Sequence, residues 1–95
     1  MPAYVVVNLR VLDPVRYEEY KRQAPASIAA YGGRYLARGG AVSVLEGTWQ
    51  PSRFVILEFP DAARARAWWD SKEYAAPKAL RQATAQTDLF IVEGL

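Results

Sequence analysis

Two glycine pairs, Gly32-Gly33 and Gly39-Gly40, bracket the run Arg34-Tyr35-Leu36-Ala37-Arg38, and little but a strand fits between them. Glycine enters the left-handed backbone region and accommodates bulges at no steric cost, so each pair reads as a special turn. The run between is short and alternating, with an arginine at each end. Neither pair makes a phosphate cradle, because the lysine, the spacing and the following helix start are all missing.

The rest of the chain falls into register around that strand. Tyr4 to Val11 alternates, with Val5, Val7, Leu9 and Val11 on one face and Tyr4, Val6, Asn8 and Arg10 on the other, the period-2 signature of a strand. Asp13-Pro14 starts a helix as N-cap and first helical residue. Its apolar stripe is Tyr17, Tyr20, Ala24, Ile28 and Tyr31. Pro25 predicts a kink or short break, since proline removes an internal hydrogen bond. Val42 to Trp49 reads as a further extended stretch. Arg53 to Phe59 is the most strand-like segment and is expected to be central. Asp61 caps a short helix holding Ala65, Trp68 and Trp69. Ser71 resembles another cap, but Pro77 lies deep for an unbroken helix, so a turn through Tyr74 and a helix opening at Pro77 are expected. Thr87 to Glu93 is the last strand.

The order is β-α-β, a hairpin-like excursion, then β-α-β, the split βαβ pattern of the ferredoxin-like α+β fold with a four-stranded antiparallel sheet. Right-handed crossovers place the helices on one face. The other face is left bare, and in a chain of 95 residues, read as one domain over residues 1–95, the economical cover is a second copy.

Composition excludes several chemistries. The chain has no cysteine and no histidine, which removes disulfides, thiolate catalysis, sulfur-ligated clusters and the commonest metal ligand. No nucleotide, metal or nucleophile motif is present, so no cofactor is expected. Twelve Lys and Arg against ten Asp and Glu are interspersed rather than gathered, so no nucleic-acid footprint is read despite the basic balance. The start Met1-Pro2-Ala3-Tyr4 lacks a basic leader and a long apolar run, which predicts a cytoplasmic protein without membrane attachment.

Pro2-Ala3-Tyr4, Tyr31 to Leu36, Arg38-Gly39-Gly40, Leu45-Glu46-Gly47, Glu58-Phe59-Pro60, Ala67-Trp68, Asp70-Ser71, Glu73-Tyr74 and Arg81 together resemble the uncharacterised domain of unknown function 1330 family, within the dimeric α/β-barrel superfamily. The resemblance spans nearly the whole chain. It implies a ferredoxin-like fold that dimerises sheet to sheet, and no established activity. Pro77 departs from the family pattern.

Five residues are candidates for ligand binding: Asn8, Arg38, Glu58, Trp69 and Tyr74. Glu58 shares a strand face with Phe54 and Ile56 and needs a partner if buried. Arg38 is the natural one, either in a structural ion pair or in a pocket where it holds an anionic ligand. Asn8 interrupts an apolar strand and either satisfies neighbouring backbone or donates to a ligand. Trp68 and Trp69 lie about 100° apart around a helix, so one packs inward and the other faces a groove or interface. Tyr17, Tyr20 and Tyr31 read as core filler, whereas the Tyr74 hydroxyl needs a polar partner.

The leading functional reading is a homodimer whose barrel cleft binds a small, partly apolar or anionic molecule. One alternative resembles the cofactor-independent monooxygenases of the same superfamily, with Asn8, Trp69 and Tyr74 positioning an electron-rich aromatic. Related haem-degrading members use an Asn, a Trp and an axial His, and the missing histidine removes ordinary haem ligation. The other alternative is a purely structural or regulatory dimer.

Overall fold

The computed structural model describes all residues, Met1 to Leu95. Its elements are β1 (Ala3–Val11), α1 (Pro14–Ala30), β2 (Arg34–Arg38), β3 (Arg53–Phe59), α2 (Ala62–Trp69), α3 (Lys72–Thr84) and β4 (Ala85–Glu93). The four strands form one antiparallel sheet in the order β2-β3-β1-β4. This is the ferredoxin-like α+β arrangement, with β3 and β1 central.

Alternation along β1 decides which face receives the helices. Val5, Val7 and Leu9 are buried beneath them with Val55, Leu57 and Phe59 of β3. Tyr17, Ala24 and Ile28 of α1, Trp68 of α2 and Tyr74 of α3 close that core from above. Trp68 and Tyr74 stack with ring centroids 4.1 Å apart, and the Trp68 indole N–H donates to Ser27 Oγ at 3.1 Å. Ser27 is a buried polar residue of α1, and its hydroxyl lets an indole N–H sit in the core without an orphaned donor.

The caps follow the sequence. Asp13, Asp61 and Ser71 each accept a backbone amide three residues on, from Arg16, Arg64 and Tyr74. Gly32 adopts φ +76, and a Cβ on Gly33 would stand 2.6 Å from the Phe59 ring and 2.8 Å from Ile28. Only glycine lets α1 return this closely over β3.

Four expectations need correction. Pro25 does not break α1, which runs through it. The carbonyl that proline leaves without an amide donor, that of Lys21, accepts instead from Arg38 Nη2 at 2.7 Å. Pro77 likewise lies inside α3, which opens directly after Ser71. Its ring joins Tyr74, Arg81 and Thr84 on the buried stripe of that helix, and this burial offsets the lost hydrogen bond. Residues 39–52 form no strand, and Val42 to Trp49 is an exposed connection. Finally, β4 begins at Ala85, two residues before Thr87.

Candidate functional site

A sheet with helices on one side offers two places for a ligand, and the two carry different chemistry. The helix-covered side encloses a cavity between α1 and strands β2, β3 and β1. Its polar lining comprises Tyr17, Tyr20, Lys21, Tyr35, Arg38 and Arg53, and its remaining lining is apolar. Three cations and no carboxylate therefore face one another. The cavity measures about 20 Å³, room for about one water molecule, so a larger occupant requires side chains to swing aside.

A bulge brings Arg38 to this side. Arg34 stands opposite Glu58 and Tyr35 opposite Leu57, after which the register shifts and Arg38 falls opposite Val55. Leu36 is the extra residue. Without it, strand parity would turn Arg38 to the face of Glu58; with it, Arg38 joins Tyr35 on the helix side. The expected Arg38–Glu58 pair is therefore absent. Glu58 pairs with Arg34 instead, at 2.8 Å through Nη2 and 2.9 Å through Nε. The Arg38 guanidinium lies 4.6 Å from the Tyr35 ring centroid, anchored to the Lys21 carbonyl.

Arg53 reaches the cavity by simple alternation with Val55 and Leu57. Its guanidinium lies 5.8 Å from the Tyr17 ring, and its Nε is buried with no hydrogen-bond partner. Gly39, at φ +70, makes room for that head group, which a Cβ there would strike. The phenols of the cavity are held neutral. Burial raises the Tyr17 pKa against the pull of Arg53 and Arg81, and raises that of Tyr35 against the pull of Arg38. Tyr20 is raised further, by burial and by Tyr74. Each thus keeps a proton to donate at neutral pH.

Beyond the cavity a hydrogen-bonded chain continues inward. Tyr20 and Tyr74 share a hydrogen bond of 2.9 Å between their hydroxyls, and Arg81 Nε donates to Tyr74 Oη at 3.2 Å. Tyr74 is fully buried, so its hydroxyl finds its polar partners inside the protein. Trp68 packs inward, and Trp69 is the half-buried one, facing grooves between the helices and β4.

The bare side carries Tyr4, Val6, Asn8, Phe54, Ile56, Glu58, Phe90 and Val92, as the strand pairings align them. Phe90 and Val92 are 54% and 48% exposed. Trp49 extends this surface by packing edge-on against Phe54, with centroids 6.0 Å apart. Asn8 lies here, where its Oδ1 accepts the Ser52 amide at 3.0 Å and ties down the end of the 39–52 connection.

The five candidate residues thus divide. Arg38 lines the cavity; Trp69 and Tyr74 stand on the same side of the sheet; Asn8 and Glu58 face the opposite side. Asn8 cannot meet Trp69 and Tyr74 around one ligand within the chain. Arg53, Tyr35 and Arg81 were absent from the candidates, although the parity of Arg53 with Val55 and Leu57 was a usable signal. Arg81 lies on the stripe Tyr74, Pro77, Arg81 and Thr84, which becomes visible once the helix is allowed to pass through Pro77.

Known structures share this architecture. The RPA0582 protein of unknown function from Rhodopseudomonas palustris superposes with a TM-score of 0.80 at 19% identity, covering 99% of this chain and 82% of that one. SnoaB, a cofactor-independent oxygenase from Streptomyces nogalater, gives 0.68 at 12% identity, over 99% and 93% of the two chains. A dimeric protein of unknown function with a ferredoxin-like fold from Bacteroides fragilis gives 0.61 at 15%, over 98% and 96%. At these identities the likeness is one of fold. No curated protein matches the sequence. The family model described as Domain of unknown function (DUF1330) matches residues 2–95, and the chain belongs to that family.

Proposed function

We propose that residues 1–95 form a single domain that pairs sheet to sheet with a second copy and binds a small, partly aromatic anion in the cavity beneath α1. The observation that carries the reading is the lining: Lys21, Arg38 and Arg53 with no carboxylate among them, set among neutral phenols. Guanidinium groups attract an anion and grip a carboxylate through paired hydrogen bonds, and the half-buried Arg53 is better shielded from water than the exposed Arg38. The tyrosines supply aromatic surface and further donors. A ligand enters as Arg53 rotates away from Gly39 and Tyr17, which exchanges an unpartnered Nε for a hydrogen bond to the ligand.

Pairing through the sheet is supported by shape. The Cα envelope measures 36 × 35 × 16 Å, a slab whose broad face exceeds the roughly 800 Å² per partner of a standard interface. Its apolar centre and its Arg34–Glu58 ion pair suit a two-fold contact of like with like. That a protein of the same fold is described as dimeric supports the pairing of two copies, whichever face they use.

Thermal unfolding with 4-hydroxybenzoate and its neutral amide tests the binding reading. At ten times the Kd the acid adds about 1.4 kcal/mol, a rise in Tm of roughly 6–11 °C for a domain of this size. The amide gives a smaller rise, and Arg53→Met removes most of the difference. Equal rises for acid and amide refute the anion reading, and no rise from any phenol or hydrophobic carboxylate favours a structural dimer.

A second reading, oxygen chemistry without a cofactor, draws support from the fold shared with SnoaB and from cations able to hold an aromatic anion while oxygen reacts. In this chain the residues for it are Arg53 and Tyr35 rather than Asn8. Oxygen consumption with a dihydroxyaromatic substrate, lost in Arg53→Met, is its test; no consumption above the uncatalysed rate rejects it.

A further inference from the structure

Arg81 has no part in the cavity lining, yet it is the most deeply placed cation of the protein. It is 3% exposed, and none of the four ion pairs of the chain includes it. A guanidinium so far out of water is costly unless hydrogen bonds or an opposite charge compensate it. Its Nε is committed to Tyr74 Oη at 3.2 Å. The two terminal nitrogens have no partner within the chain, and neither is sealed from solvent.

Arg81 lines a groove between α3 and β4, about 320 Å³ in volume and free of carboxylates, together with Trp69, Gln82, Ala85, Thr87 and Leu89. Thr87 stands opposite Leu9 on the helix-facing side of β4, and its Oγ1 is the second buried polar atom of the protein without a hydrogen bond. Arg81, which has no ion-pair partner, and Thr87, whose Oγ1 has no hydrogen bond, therefore line the same groove. Trp69 is fixed beside them by Lys78, whose Nζ lies 4.4 Å from the indole and donates to the Trp69 carbonyl at 2.8 Å. Ala85 and Leu89 supply a short apolar floor.

We infer that this groove binds a small aliphatic carboxylic acid, with the carboxylate held side-on by the terminal nitrogens of Arg81 and by the Thr87 hydroxyl, and the alkyl chain laid on Ala85 and Leu89. A planar carboxylate is the anion that two adjacent guanidinium nitrogens match best. The Tyr74 hydrogen bond fixes the fork in advance, which lowers the ordering cost of binding. Arg81 and Thr87 do not line the cavity beneath α1, which shares only Leu89 with this groove, and the site does not depend on that cavity being used.

The test is residue-resolved NMR of the full chain titrated with propionate and with propionamide. Propionate moves the Arg81 Nε–H, the Trp69 indole N–H and the Thr87 amide, and propionamide does not. Arg81→Met weakens propionate binding about tenfold or more, and Thr87→Val weakens it a few-fold with the fold intact. Resonances that stay still up to the solubility limit, that respond equally to the amide, or that respond unchanged in Thr87→Val and Arg81→Met overturn the inference. If Arg81→Met does not fold, the wild-type comparison and Thr87→Val decide. Movement confined to Arg53 and Tyr35 overturns this site and leaves the cavity reading standing; movement confined to Arg81 and Thr87 supports this site, and the cavity reading stands or falls on its own titration with 4-hydroxybenzoate.

Discussion

The hydrogen bond from Arg38 to the Lys21 carbonyl should be worth something only because Pro25 is there, and a double-mutant cycle measures that. Proline at position 25 has no amide to give to residue 21, and Arg38 Nη2 fills the vacancy at 2.7 Å. Hydrogen bonds to charged groups contribute about 1.5–3 kcal/mol when shielded. Arg38 is exposed, so about 1 kcal/mol is the appropriate figure after screening. Arg38→Met in the Pro25 background should therefore cost about 1 kcal/mol. Pro25→Ala restores the helical donor and stabilises by roughly 1–2 kcal/mol, less than the full interior-proline penalty because α1 has already adapted to the ring. In that second background Arg38→Met should cost only a few tenths, since the carbonyl now has its amide. The contact of Arg38 with the Tyr35 ring persists in both backgrounds and cancels. Urea unfolding of the four proteins at one fixed concentration reads the coupling as midpoint shifts of about 0.5–1 M. Additivity within about 0.3 kcal/mol refutes the reasoning.

Three further outcomes follow from the geometry. Gly39→Ala combines a left-handed backbone position with a methyl group against the Arg53 head group, so it should destabilise by about 1–2 kcal/mol and, by pushing Arg53 off the position it must leave, tighten 4-hydroxybenzoate binding; an unchanged affinity means Arg53 does not depend on that space. Burial raises Tyr17, Tyr20 and Tyr35, and a phenol is charged when deprotonated. Their contribution is thus complete below the ordinary tyrosine value of about 10 and is lost as pH rises through the folded values; a Tm that stays flat well above that pH contradicts the buried phenols. Phe90→Lys puts a charge at the bare sheet face without touching the core, and sedimentation should show the wild type at twice the chain mass of 10.6 kDa and the variant at that mass. A wild type that sediments as a folded single chain at micromolar concentration removes the sheet-to-sheet pairing.

Much of the fold is legible in the residues because local rules and the global arrangement agree there. The alternation of β1 and β3, the aspartate caps and the glycine-bracketed β2 all lie where sequence reasoning puts them. Both prolines mislead for one reason: a helix can lose an internal hydrogen bond when tertiary contacts compensate, as Arg38 does for Pro25 and the buried ring does for Pro77. Val42 to Trp49 has strand-like residues, but no neighbouring strand takes up their backbone groups within the chain. The site was less legible. A single bulged residue, Leu36, reverses the face of everything after it, and this turned Arg38 from the expected partner of Glu58 into a lining residue of the cavity. Nothing in local composition marks that reversal. Tyr17 and Tyr20 were rightly read as inward-facing, yet whether an inward phenol is filler or a donor depends on Arg53 and Arg81, which arrive from distant parts of the chain.

The most direct test of the central claim is the Arg53 Nε–H resonance during titration with 4-hydroxybenzoate and with its amide. The account predicts that the acid moves it progressively to saturation, together with Tyr35, and that the amide leaves it nearly still. An Arg53 signal indifferent to the acid, in a protein that binds the acid elsewhere or not at all, contradicts it.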